Sequence, residues 1–115
     1  MTMINHEDRN LLYEYIKLDM AVKSLQQDYS SLESLKMGKV YINIVEGLLK
    51  NIKNDFYNKK RLLGQRGIRV VKWVKTSEHF SEVTIATKGE DMVLQYAKQA
   101  LKTQVEELIS GYLNK

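Results

Sequence analysis

His6-Glu7-Asp8 places an imidazole beside two carboxylates, the residue types of an acid–base or metal site. No second segment offers a matching ligand pair. Two acids behind Asn5 are also what a helix N-terminus attracts, because its unpaired N–H groups carry partial positive charge. The only other histidine, His79, lies in a polar stretch, and Glu106-Glu107 read as the solvated face of a helix. His-Glu-x-x-His, Gly-x-Ser-x-Gly, the phosphate-binding Gly-x-x-x-x-Gly-Lys and the dinucleotide fingerprint are all missing. The absence of cysteine excludes a thiol nucleophile, a thiolate metal site and a disulfide framework. The expectation is a protein with no catalytic residue, no metal and no cofactor.

Binding chemistry is better represented. Asn58 to Lys75 carries seven bases (Lys59, Lys60, Arg61, Arg66, Arg69, Lys72, Lys75), no acid, and the only tryptophan, Trp73. From Lys50 to Lys75 nine bases face one acid, Asp55, whereas the other residues hold nine bases and thirteen acids, so the net charge of +4 hides a basic segment on an acidic body. Such a partition points to a localised contact rather than a general affinity for polyanions. Cations neutralise phosphates, and Trp and Arg stack on bases, so Lys59, Lys60, Arg61, Arg66, Arg69, Trp73 and Lys75 are the candidate contacts to nucleic acid or to an acidic partner. The competing reading is self-pairing: residues 1–35 hold six acids against three bases and can receive the basic corner. Gly64-Gln65-Arg66-Gly67 has the Gly-x-x-Gly spacing with which KH domains clamp a nucleic-acid backbone. The β-branched run after it favours a plainer role, a helix C-cap at Gly64 and a turn into a strand.

The elements that would position these residues follow from periodicity. Leu11, Tyr15, Leu18, Val22, Leu25, Tyr29 and Leu32 recur at steps of four and three, a heptad seam behind an Asn5 N-cap, and predict a helix over 6–29. Ser30-Ser31-Leu32-Glu33 has the capping-box pattern and is the preferred turn. The alternative turn lies near Met37-Gly38-Lys39. A second helix to about 61 completes an antiparallel hairpin, since short links join antiparallel neighbours. Residues 68–75 and 80–87 alternate and read as a two-stranded β-hairpin around Thr76–His79. In that pairing Ile68, Val70, Val74, Val83 and Ile85 share one face, and Arg69, Trp73, Lys75, Phe80 and Glu82 the other. Thr87-Lys88-Gly89-Glu90, a second capping box, predicts a last helix over 89–113 with an unusually wide apolar face.

The chain is therefore expected to be a single α+β domain: a long helical hairpin over 6–61, a β-hairpin over 68–87 and a C-terminal helix over 89–113. No apolar window reaches the roughly 18 residues of a membrane span, and no export signal is visible at the N-terminus, so a cytoplasmic protein without membrane contact is expected. A two-stranded hairpin alone is marginal in water, and two long helices with one small sheet are hard to close, which predicts a homodimer. The expected function is a small non-catalytic interaction or regulatory protein with an unidentified protein partner, and the alternative is nucleic-acid binding through 59–75.

Overall fold

The computed structural model describes residues 5–114. The order is α1 (His6–Leu32), α2 (Gly38–Gln65), β1 (Arg69–Lys75), β2 (Phe80–Ala86), β3 (Asp91–Ala97) and α3 (Lys98–Leu113). The expected α+β class is the observed one, with a third strand added to the sheet.

Helix α1 starts where the sequence places it. The Asp8 N–H donates to Asn5 Oδ1 at 2.7 Å, which satisfies one of the orphan donors of the first turn. Its other end corrects the preferred turn. Ser30 is not a cap: its hydroxyl donates to the Gln27 carbonyl at 2.8 Å, and Ser34 donates to Ser31 at 3.0 Å. Both hydroxyls are satisfied by carbonyls behind them, so the helix runs past Ser30 to Leu32. The reversal occupies residues 33–37, and Gly38 opens α2 with its Cα against the carbonyl of Leu32, where any Cβ would collide.

Helix α2 runs four residues beyond the expected 61 and ends in a Schellman motif. The Ile68 N–H donates to Leu63 O at 2.9 Å and the Gly67 N–H to Gly64 O at 3.0 Å. Gly67 is the residue with positive φ, 73°, so the cap is Gly67, and Gly64 is an ordinary helical position. Leu63 and Ile68, which bracket the motif, are both buried in one core cluster. A Gly-x-x-Gly loop between two helices does not form; this pair ends a helix and aims the chain into β1.

The sheet is an antiparallel meander in the order β1-β2-β3. A bulge at Val71 shifts the β1 register, so that Val70 pairs with Ile85 but Lys72 with Thr84 and Trp73 with Val83. An extra residue in one strand reverses the facing of everything after it. Hence Trp73 and Lys75 turn to the helix side with Val83, and Val74 turns out with Glu82, the opposite of strict alternation. Arg69, Phe80 and Glu82 lie on the outer face, as expected.

The strand β3 replaces the first turns of the expected last helix. Thr87 Oγ1 does accept from the Glu90 N–H at 3.2 Å and donates to Glu90 O at 2.5 Å, but the motif closes a hairpin turn, and Ala86 pairs with Asp91. Met92, Leu94 and Tyr96 point inward and Val93 out, a period of two, and α3 begins only at Lys98. The wide apolar face was the sum of a strand and a helix.

Two core clusters result. Leu12, Ile16, Leu63, Ile68, Val83, Ile85 and Leu101 join the sheet to the open end of the helical hairpin. Leu18, Ala21, Leu25, Leu48, Ile52 and Val105 hold α3 across both helices. The sheet is thus covered within the chain and needs no second copy to bury its inner face. Because α1 meets both α2 and the sheet, Leu12, Ile16 and Ala21 are buried alongside the seam residues Leu18 and Leu25.

Candidate functional site

The basic stretch that is continuous in sequence is divided in space. Lys60 and Arg61 lie on the solvent face of α2, and Arg61 Nη2 reaches Asn58 Oδ1 at 3.4 Å. Lys59 is half-buried on the opposite side of the same turn. Arg66, at the C-terminal end of α2, pairs with the first turn of α1: its Nη1 lies 2.5 Å from Asp8 Oδ1 and 3.8 Å from Glu7 Oε2. The hydrogen bond to Asp8, aided by both carboxylate charges, raises the guanidinium pKa above its ordinary value. The acids of His6-Glu7-Asp8 are therefore used in a helix cap and an ion pair. The His6 ring rests beside the Asn10 amide at 3.3 Å.

Arg69 belongs to the outer sheet face. Trp73 is on the inner one, half-buried, with its ring 6.2 Å from Tyr96. Lys75 projects from the end of the same inner face toward Lys98, whose pKa is lowered first by burial and then by the Lys75 charge. The seven candidate residues thus serve at least three surfaces, and Trp73 and Arg66 are committed to internal contacts. His79 is exposed in the β1–β2 loop, which Ser77 organises by accepting from the His79 and Phe80 N–H groups at 3.2 Å each. Among the described residues, no cluster of three or more His, Cys, Asp or Glu side chains could hold a metal ion.

The family model for the YhjD protein matches residues 3–115. The chain belongs to the YhjD family. No curated protein and no solved structure matches it.

Three surfaces of this YhjD-family chain remain as candidates. A groove of about 580 Å³ opens between α1 and α3, floored by Trp73 and Tyr96, walled by Met20, Val105 and Ile109, with Lys98 at one end. Burial raises the Tyr96 pKa, so its hydroxyl stays protonated beside that floor. The second surface is the tip of the helical hairpin, where Leu35, Met37, Val40, Tyr41 and Ile44 are all exposed. The third is the outer face of α2, where Lys50, Lys53, Asn54, Tyr57, Lys60 and Arg61 line up. Lys50, Lys53 and Tyr57 stand outside the sequence-based site, although a 3.6-residue period read over 50–61 places them with Lys60 and Arg61. No described helix is long and apolar enough to cross a membrane.

Proposed function

We propose that the chain is a small non-catalytic interaction protein that assembles as a homodimer through the tip of its helical hairpin. One observation carries this reading. Between Leu25 and Leu48 only Gly38 is buried, yet the segment presents Met37 at 59%, Val40 at 54% and Ile44 at 47% exposure. Tyr41 and Ile44 border a hollow of about 350 Å³ that Leu32, Val45, Asp28 and Ser31 complete. Contiguous apolar surface of this kind marks an interaction site, whereas scattered single residues do not.

A second copy is the occupant that the charges favour. Residues 26–47 hold three acids and two bases, a balance of −1, in a chain of +4, so the remainder carries +5. Two copies approaching through their bodies bring like charge together, whereas two tips meet nearly neutral and of mixed sign. A two-fold interface uses one patch twice, and exposed apolar side chains beside a hollow with apolar walls at Leu32, Tyr41, Ile44 and Val45 are self-complementary in that sense.

Sedimentation equilibrium tests the proposal. The protein is expected to be a dimer at micromolar concentration, and the double variant Tyr41→Glu, Ile44→Glu a monomer with an unchanged circular dichroism spectrum, because both side chains are exposed in the folded chain. A wild-type protein that stays monomeric at high micromolar concentration, or a double variant that stays dimeric, overturns it.

A further inference from the structure

Among the described residues, none packs on the face of α2 that points away from the core. At 100° per residue, Lys50, Lys53, Asn54, Tyr57, Lys60 and Arg61 fall within about 120° of arc. Leu48, Ile52 and Leu63, on the other side, are buried. Four cations therefore stand along about 17 Å of helix, from the rise of 1.5 Å per residue. Among the described residues, no carboxylate lies within 4 Å of any of the four. Asp55, the one acid between Lys50 and Lys75, is turned inward and accepts a hydrogen bond from Tyr112 Oη. Tyr57 is 59% exposed amid the cations, and with Lys50, Lys53 and Asn54 it lines a shallow hollow of about 370 Å³. Gly47 and Gly64, flanking the six residues on the same side, are helical, and a Cβ at either would meet nothing within 4 Å.

We infer that this face binds duplex nucleic acid independently of sequence, through phosphates held by Lys50, Lys53, Lys60 and Arg61. Three features select that partner. From Lys50 to Arg61 the face carries no acid, and Glu46, one turn before Lys50 on the same side, is held by the Tyr29 hydroxyl at 2.8 Å; ammonium, guanidinium and amide donors of the kind this face offers are the groups that contact backbone phosphates. Its single exposed aromatic, Tyr57, is no counterpart to the apolar anchors that a bilayer-bound helix inserts, and lysine is depleted where proteins pack on proteins. The surface is one side of a single helix, an element the major groove of a duplex admits, and its hollow at Lys50–Tyr57 holds one ring. Single strands are bound in concave channels with several stacking rings. Arg66 is excluded from the contact because Asp8 and Glu7 hold it. Trp73 is excluded because its face is turned to the helices.

Fluorescence anisotropy with a labelled 12-base-pair duplex of arbitrary sequence tests the inference. With four phosphates neutralised, log affinity should fall against log salt with a slope near −3.6, from about 0.9 per phosphate. Replacing Lys50 and Lys60 by Gln should halve that slope, and replacing all four cations should abolish binding with the circular dichroism spectrum intact, since Gln is a good helix former. Arg69→Gln with Lys72→Gln, on the outer sheet face and in β1, should leave the slope unchanged. The inference is overturned by absence of binding in low salt, by a fourfold variant that retains the wild-type slope, or by equal loss in the sheet variant. Equal affinity for anionic phosphatidylglycerol vesicles or for polyglutamate would overturn it as well. None of these readings depends on whether the hairpin tip dimerises, because the tip variant Tyr41→Glu, Ile44→Glu leaves the four cations in place.

Discussion

The same substitution at two positions of α2 should have opposite signs. At Gly47 an added Cβ meets nothing within 4 Å, and the residue sits inside a 28-residue helix. Ala there removes backbone freedom from the unfolded chain and adds no contact to be strained, so Gly47→Ala should stabilise by about 1 kcal/mol. At Gly38 the added Cβ would run into the carbonyl oxygen of Leu32 and lie 3.4 Å from its carbon. Both are backbone atoms, fixed by the end of α1, so relief requires the helices to separate at the turn. Overpacking of that kind costs about 1–3 kcal/mol. The two variants should therefore differ by about 2–4 kcal/mol, which at a urea m-value of about 1–3 kcal/mol/M separates their midpoints by about 0.7 M or more. Urea titration monitored by helix ellipticity measures it. A Gly38→Ala protein as stable as the wild type would refute the placement of the turn at 33–37. A Gly47→Ala protein that loses stability would mean that the outer face of α2 is covered in the folded protein.

Ser30→Ala should shift stability by no more than about 0.5 kcal/mol, because the hydroxyl caps nothing; a loss near 1 kcal/mol would restore Ser30 as a cap. Trp73→Ala should cost about 2–4 kcal/mol in urea titration, since a half-buried indole leaves a cavity beside Val83 and Tyr96, and a neutral result would place the ring in solvent. Tyr112 is pushed above the ordinary phenol pKa by burial and by its hydrogen bond to Asp55. The folded state then keeps a proton that the unfolded state loses, so this contribution is complete below about pH 10 and declines as pH rises further. Tyr112→Phe should flatten that alkaline decline in a series of thermal melts, and an unchanged pH profile would count against the bond.

The parts of the fold that were legible are those where local chemistry and tertiary outcome agree. Asn5 caps α1 as its side chain dictates, and strands over 69–75 and 80–86 arise from β-branched alternation around Thr76–His79. The failures share a cause: a local motif is compatible with two continuations. Ser30-Ser31-Leu32-Glu33 and Thr87-Lys88-Gly89-Glu90 have the same capping pattern, yet the first lies across the end of a helix and the second closes a β-hairpin. In each case contacts outside the motif decide between them. Gly38 can approach the Leu32 carbonyl where no other residue fits, and Met92, Leu94 and Tyr96 find β2 beside them. The bulge at Val71 has no signature in Val70-Val71-Lys72, and it alone moved Trp73 and Lys75 to the inner face.

The candidate site failed and succeeded for a related reason. Charge density along the chain is a poor guide here, because a chain that passes through a helix, a left-handed turn and a bulged strand sends consecutive cations in different directions. Arg66 shows the consequence: it sits in the densest part of the basic stretch and is the cation that the fold neutralises, because the Schellman turn at Gly67 leaves it facing the acidic start of α1. Charge density around the helix instead brings in Lys50, Lys53 and Tyr57 and leaves out Trp73. That selection rests on the 3.6-residue period and on which side of α2 is buried, and both hold whatever rotamers the lysines adopt. It also separates the two proposed surfaces by direction. The apolar tip extends beyond the Leu25 and Leu48 layer, whereas the basic face runs alongside the core from Lys50 to Arg61, so a dimer joined at the tips would leave both basic faces open to a second partner.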